Sequence, residues 1–189
     1  MRVIPRALGG LLLLLSLLAG CGQESEPVAE VEGQGQVTIQ LTSTAFAHEG
    51  AIPDKHTCDG ADLSPELAWS GVPAGTASLA LICDDPDAPG RTWVHWVLYD
   101  LPAEAAGLPE GLSAEAETPG GGVHGENDFG RLGYGGPCPP GGKPHRYFFR
   151  LYALDTRLGL AVGASKQDVV DAMQGHILAW GELMGTYQR

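Results

Sequence analysis

The sequence predicts a mainly β domain, a β-sandwich with one peripheral helix near the C-terminus. Short runs of β-branched and aromatic residues recur from Val37 to Leu154, separated by clusters of turn residues. Only the stretch after Ser165 shows a helical period. Residues 37–189 contain no internal repeat and no second long apolar run, and they have the length of one domain.

The elements follow in order. Val37, Ile39 and Leu41 alternate with Thr38, Gln40 and Thr42, as in a half-buried strand. Residues 47–65 are polar and broken by Gly and Pro, and read as a loop. Glu66 to Ser70 and Thr76 to Cys83 read as strands. Pro86 and Pro89 each fix φ and remove a donor, so 84–90 should leave the ladder and hold Asp85 and Asp87 on a stiff loop. From Thr92 to Leu101 strict alternation puts Trp93, His95, Val97 and Tyr99 on one face and Val94, Trp96 and Leu98 on the other. Both faces are mostly apolar, which predicts a central strand covered on both sides. Residues 102–144 form a long irregular stretch, the kind that carries function or hides short strands. Arg146 to Leu154 is a strand with Tyr147, Phe149, Leu151 and Ala153 on one face and Arg146, Phe148, Arg150 and Tyr152 on the other. Ser165 and Asp168 form a capping-box pattern. Val169, Met173, Ile177 and Trp180 then make one helical stripe, which predicts a helix ending at Gly181 and a short last strand from Leu183 to Gln188.

Residues 1–20 read as a signal segment rather than as part of the fold. Arg2 and Arg6 precede an apolar run from Leu8 to Ala19, shorter than the ~20 residues of a spanning helix. Leu18-Ala19-Gly20-Cys21 resembles the bacterial lipobox, and the resemblance implies cleavage before Cys21 and acylation of its thiol. An ordinary signal peptide and a buried helix are the alternatives. Gly22 rather than Asp after Cys21 leans toward the outer membrane where a cell has two. Residues 21–36 then make a lipidated, flexible, acidic tether. The expected location is the cell envelope, outside the cytoplasm.

The formal net charge is −12, and −14 for residues 21–189 once Arg2 and Arg6 are removed. An acidic surface excludes the basic footprint of a nucleic-acid binder. Three cysteines follow Cys21. Cys83 sits with Leu79 and Leu81 on one strand face and reads as a buried thiol; Cys58 and Cys138 lie in loops and are candidates to pair. No C-x-x-C spacing points to a metal, and no cofactor is indicated.

Two stretches carry candidate chemistry. Asp85 and Asp87 lead directly into the strand bearing His95. In 124–147, HGENDFGRLGYGGPCPPGGKPHRY, the pair Gly135 and Gly136 can present backbone N–H groups to an anion, and His145 and Tyr147 share a strand face. Each residue also has a plainer reading: His95 as a core histidine, the aspartates as turn formers beside proline, Tyr147 as core.

DPDAP at 85–89, WVHW at 93–96, GYGGP at 133–137 and PHRY at 144–147 resemble the phosphatidylethanolamine-binding protein family. IPDKHTCDGADLSPELAW (52–69) and GHILAWGELMGTY (175–187) resemble its bacterial Raf-kinase-inhibitor-like subgroup. The resemblance implies a two-sheet antiparallel sandwich with Greek-key connections and a small anion pocket at one end. It implies a pocket using Asp85, Asp87, His95, Gly136, His145 and Tyr147, with walls from Pro89, Trp93 and Pro137. The extra C-terminal helix of eukaryotic members has no counterpart before Arg189. The implied function is non-enzymatic: a lipid-anchored binder of phosphate or phospholipid headgroups, with a protein partner such as a kinase or protease to regulate, and room for a homodimer. The competing expectations are a metal-assisted hydrolase built on the same His/Asp cluster, against which no dense metal-ligand motif or G-x-S-x-G is present, and a structural envelope protein.

Overall fold

The computed structural model describes residues 36, 37 and 39–189, with side chains from Ile39 onward. The signal segment, the lipidation site at Cys21 and nearly all of the tether lie outside the described residues.

Among the described residues, two sheets and one α-helix form three layers. The large sheet has the order β1 (Gln36–Val37), β9 (Ile177–Tyr187), β8 (His145–Leu154), β4 (Ser78–Asp85), β5 (Trp93–Pro102) and β7 (Val123–His124). Its neighbours are antiparallel except β1 and β9, which run parallel. The small sheet is β2 (Gln40–Thr42), β3 (Leu67–Ser70) and β6 (Gly107–Leu108), antiparallel throughout. Ile39, Leu41, Leu67, Trp69 and Leu108 pack against Leu81, Trp96, Leu98, Phe149 and Leu151 of the large sheet. On the other face of that sheet, Ile82, Val97, Tyr99 and Tyr152 meet Val169, Val170 and Met173 of α1 (Lys166–Met173). Every residue of β4 is buried, because both of its faces are covered.

Four expectations from the sequence are corrected. The alternating run from Val37 to Thr42 is not one strand. Its start pairs with β9 and its end with β3, so the chain passes from one sheet to the other. Gly181 lets the Ile39 backbone cross there, since a Cβ at 181 would collide with the Ile39 carbonyl. The helix stops at Met173 rather than at Gly181. Gly175 reverses the chain with φ +79°, and Ile177 and Trp180 belong to β9, an eleven-residue strand of strict burial alternation. Asp84 and Asp85 remain in the ladder opposite Val94 and Trp93, so the loop begins only at Pro86.

The fourth correction places the site. Along β4 and β5 the register passes from Cys83–Trp96 directly to Asp84–Val94. β5 therefore carries one extra residue, His95, in a bulge. Strict alternation would put His95 with Val97 and Tyr99 toward the helix. The bulge instead turns it to the opposite face, where its ring lies 5.1 Å, edge-on, from that of Tyr147. A second register shift lies between Leu79 and Leu81, where β5 accommodates Asp100 at φ +54°. Asp100 stays buried by accepting from the amides of Leu158 and Gly159, at 2.7 and 2.9 Å.

Candidate functional site

The ends of β4, β5 and β8 meet on the face shared with the small sheet. Asp85 is the last residue of β4, His145 the first of β8, and the His95 bulge is near the start of β5. With Ala88, Pro89, Trp93, Phe129, Cys138, Pro139 and Pro140 they line a cavity of about 240 Å³. The three titratable side chains are nearly buried, at 3, 3 and 4% relative exposure for Asp85, His95 and His145.

Each group on the floor is oriented from behind. His145 Nδ1 donates to Asp85 Oδ2 at 2.8 Å, and the Asp87 amide donates to Asp85 Oδ1 at 2.8 Å. Both Asp85 oxygens thus receive a donor, which offsets the cost of a buried carboxylate. His95 Nδ1 donates to the Gly135 carbonyl at 2.6 Å, so a carbonyl rather than an aspartate orients this ring. In both rings the proton on Nδ1 is fixed by its acceptor, which leaves Nε2 for a ligand. Burial holds the His95 pKa below its ordinary 6.5, opposed by the Gly135 bond and by the charge of Asp85. The Tyr147 hydroxyl is buried and, among the described residues, has no hydrogen-bond partner. Burial first, then the Asp85 charge, raise its pKa far above the usual tyrosine value.

The other expected site residues lie behind or beside the cavity. Asp87 turns away from it and grips Arg146, accepting from Nε at 2.8 Å and Nη2 at 2.9 Å. That guanidinium lowers the Asp87 pKa to about 2. The Gly135 amide donates to the His95 carbonyl at 2.9 Å, and the Gly136 amide to Asp62 Oδ1 at 2.6 Å. Both amides assigned to an anion by sequence are therefore engaged inside the protein. Gly136 is required for another reason: a Cβ there would meet the His56 carbonyl and Asp62. Pro137 is buried behind the wall, its carbonyl accepting from the Cys58 amide at 3.1 Å.

The sequence reading missed Phe129, Pro139, Pro140 and the wall position of Cys138. Phe129 is 40% exposed and stands edge-on to both Trp93 and His95, at 5.6 and 5.4 Å. The Asn127 side chain shapes its loop by accepting from the amides of Phe129 and Arg131 and donating to the Gly133 carbonyl. The only local signal was an aromatic in a turn-forming N-D-F-G. Cys58 and Cys138 form a disulfide, and Cys83 is a buried thiol. Among the described residues, no group of three or more His, Cys, Asp or Glu side chains is placed to hold a metal ion.

The fold is a two-sheet β-sandwich with an Asp/His-floored cavity at the strand ends. Residues 42–188 match the sequence model of the phosphatidylethanolamine-binding protein family, and the chain belongs to that family. A UPF0098 protein of Methanothermobacter thermautotrophicus is 54% identical over 151 residues, covering 80% of this chain and 99% of that protein. A UPF0098 protein of Pyrococcus abyssi is 41% identical over 187 residues, covering 97% of this chain and 99% of the relative. Among solved structures, YbcL of Escherichia coli, described as a member of the mammalian PEBP family, has a TM-score of 0.76 at 36% identity, covering 81% of this chain and 99% of its own. A phosphatidylethanolamine-binding protein homologue of Chlamydia trachomatis has a TM-score of 0.72 at 42% identity, covering 80% and 98%.

Proposed function

We propose that this protein acts by binding rather than by catalysis, and that its cavity holds a small phosphate-type head such as phosphate or a phospholipid headgroup. The observation that carries this reading is the floor: two histidines anchored through Nδ1, with Nε2 free, beside a carboxylate that already has two donors. The apolar rim of Trp93, Phe129, Pro139 and Pro140 suits a ligand with an apolar arm outside the floor. The one sulfur lining the described cavity, Cys138, is held in a disulfide.

The charge balance narrows the ligand. A full negative charge ~4 Å from Asp85 costs about 4 kcal/mol at an effective dielectric near 20. The ligand therefore enters carrying a proton, brings an ammonium toward Asp85, or binds as His95 takes up a proton. Export, a lipid anchor at Cys21 and a regulatory or inhibitory role toward a kinase or protease complete the proposal. They rest on the N-terminal sequence and on family resemblance.

The test is calorimetric titration of residues 22–189 with phosphate, phosphoethanolamine and short-chain phosphatidylethanolamine, beside His95→Ala and Asp85→Asn. Saturable phosphoethanolamine binding lost in both variants is the expected result, with tighter binding at lower pH. Binding to none of the three ligands sinks the pocket reading. Labelled palmitate incorporation abolished by Cys21→Ala tests the anchor separately.

A further inference from the structure

Part of the cavity wall comes from loops rather than from paired strands. The cavity floor stands on the paired strands β4, β5 and β8, whereas Cys138, Pro139 and Pro140 lie outside any strand. Proline has no amide hydrogen to donate. Among the described residues, the backbone of Cys138, Pro139 and Pro140 makes no hydrogen bond. Besides the packing that buries Pro139, this wall is tied to the protein by the disulfide from Cys138 to Cys58, with the bond from the Cys58 amide to the Pro137 carbonyl beside it.

The other end of that tie is firmly held. Asp54–His56 forms a 3₁₀ turn, the Thr57 hydroxyl donates to the Asp54 carbonyl at 2.9 Å, and the Tyr134 hydroxyl donates to the His56 carbonyl at 2.8 Å. The disulfide thus fastens a wall that has no backbone hydrogen bonds of its own to a fixed loop. Both cysteines are exposed, so a reductant can reach the bond. The Arg189 guanidinium, itself paired with Asp59, lies 3.9 Å from Cys138 Sγ, where it favours a thiolate.

We propose that Cys58–Cys138 is a thiol-exchange site for a dithiol reductant, and that its redox state sets the affinity of the cavity. A reductant thiolate attacks Cys58 Sγ and forms a mixed disulfide there. The Cys58–Cys138 bond breaks, and its electron pair leaves on Cys138 Sγ beside Arg189. The second thiol of the reductant, deprotonated, attacks the reductant sulfur of the mixed disulfide and releases the Cys58 thiolate. The reductant ends as a disulfide, and the two cysteines take protons from water. The wall then swings free of the floor and the cavity loses its shape. The effect on affinity rests on the anion-pocket reading; the release of the wall does not.

Linkage makes the coupling reciprocal: if reduction weakens phosphate binding by a factor, phosphate disfavours reduction by the same factor. The test measures inorganic phosphate binding to the protein oxidised, reduced with dithiothreitol and reoxidised, and to the Cys58→Ser/Cys138→Ser double variant. Amide exchange at Cys58 and Gly136 is followed before and after reduction. A loss of roughly tenfold in affinity on reduction, regained on reoxidation and matched in the double variant, is expected, a size typical of coupled sites. Both amides exchange faster in the reduced protein. Equal affinity in the two states, unchanged amide exchange, or resistance of the bond to dithiothreitol overturns the proposal. If the oxidised protein binds no phosphate, the pocket reading fails instead. Amide exchange then decides: acceleration upholds the wall as redox-released, and no change refutes it.

Discussion

Asp84 and Asp85 are adjacent, equally buried and on opposite faces of the same strand, yet their surroundings differ in kind. Asp84 faces the helix side. Arg150 Nη1 donates to its Oδ1 at 3.1 Å and Lys166 Nζ donates to its Oδ2, while Arg150 reaches on to Glu182 at 2.9 Å. Two full cations close around one carboxylate. Asp85 faces the small-sheet side and meets one histidine, one amide and an open cavity. A buried carboxylate enclosed by permanent cations is a clamp, here holding the first turn of α1 to the sheet. A buried carboxylate partnered by an imidazole beside an open cavity is placed to meet a ligand.

The largest expected effect separates these roles. Asp84→Asn leaves Lys166 and Arg150 facing each other with their shared counter-charge gone. Removing one partner from such a buried network costs about 3–5 kcal/mol. Asp85→Asn gives up a hydrogen bond to a charged group, about 1.5–3 kcal/mol, but removes the group that orients His145. Denaturant midpoints should therefore fall further for Asp84→Asn, while phosphoethanolamine titration should fail only for Asp85→Asn. An Asp84→Asn protein of unchanged stability that no longer binds would reverse the assignment.

The second effect uses pH. Burial lowers the pKa of His95, and also of His124, whose Nδ1 donates to the Glu115 carbonyl at 2.7 Å. Each ring is more easily protonated in the unfolded chain than in the fold. Their contribution to stability is complete above the ordinary histidine value of 6.5 and declines as pH falls below it. The slope is at most about 1.4 kcal/mol per pH unit for each ring. Phosphate binding runs the other way, because a charged His95 attracts the anion although Asp85, Asp84 and Asp128 surround it. Melting curves from pH 7 to 5 should show stability falling while added phosphate restores more of it at each step. His124→Gln should flatten part of the slope and leave the phosphate effect intact. A slope unchanged in both His95→Gln and His124→Gln would show that carboxylates, not these rings, control acid stability.

The same comparison explains what the sequence made legible. Alternation from Tyr147 to Ala153 assigned β8 to its faces correctly, because a regular ladder keeps period two. The class of fold, the buried thiol and the residues at the strand ends were readable for similar reasons. The aim of His95 was not. It depends on one extra residue in β5 relative to β4, and a bulge is a relation between two strands that neither displays alone. The helix end was misplaced because Val169, Met173, Ile177 and Trp180 fit a helical stripe as well as they fit a helix followed by a strand. Gly175, inside that stripe, was the available signal. The Gly135 and Gly136 amides looked free because their partners, the His95 carbonyl and Asp62, are remote in sequence.

Asp87 sharpens the contrast at its small end. It is one residue beyond the strand-ending proline, and Arg146 clasps it with both Nε and Nη2 from a side chain that is itself 52% exposed. The guanidinium lowers the Asp87 pKa from 3.8 to about 2. A depressed carboxylate stabilises above its unfolded value and loses that contribution as pH falls toward the folded one, so the effect is confined to about pH 4 down to 2. Solvent screening holds an exposed pair to about 1 kcal/mol or less. Asp87→Ala should therefore shift the denaturant midpoint only slightly at pH 7, and salt should reduce even that shift. The Asp87 backbone amide still reaches Asp85 Oδ1 after the substitution, so phosphate affinity should stay within about twofold of the parent, under ~0.5 kcal/mol. A loss of binding as large as that of Asp85→Asn would mean that the carboxylate of Asp87 turns into the cavity when ligand is present, and that the site extends beyond the floor formed by Asp85, His95 and His145.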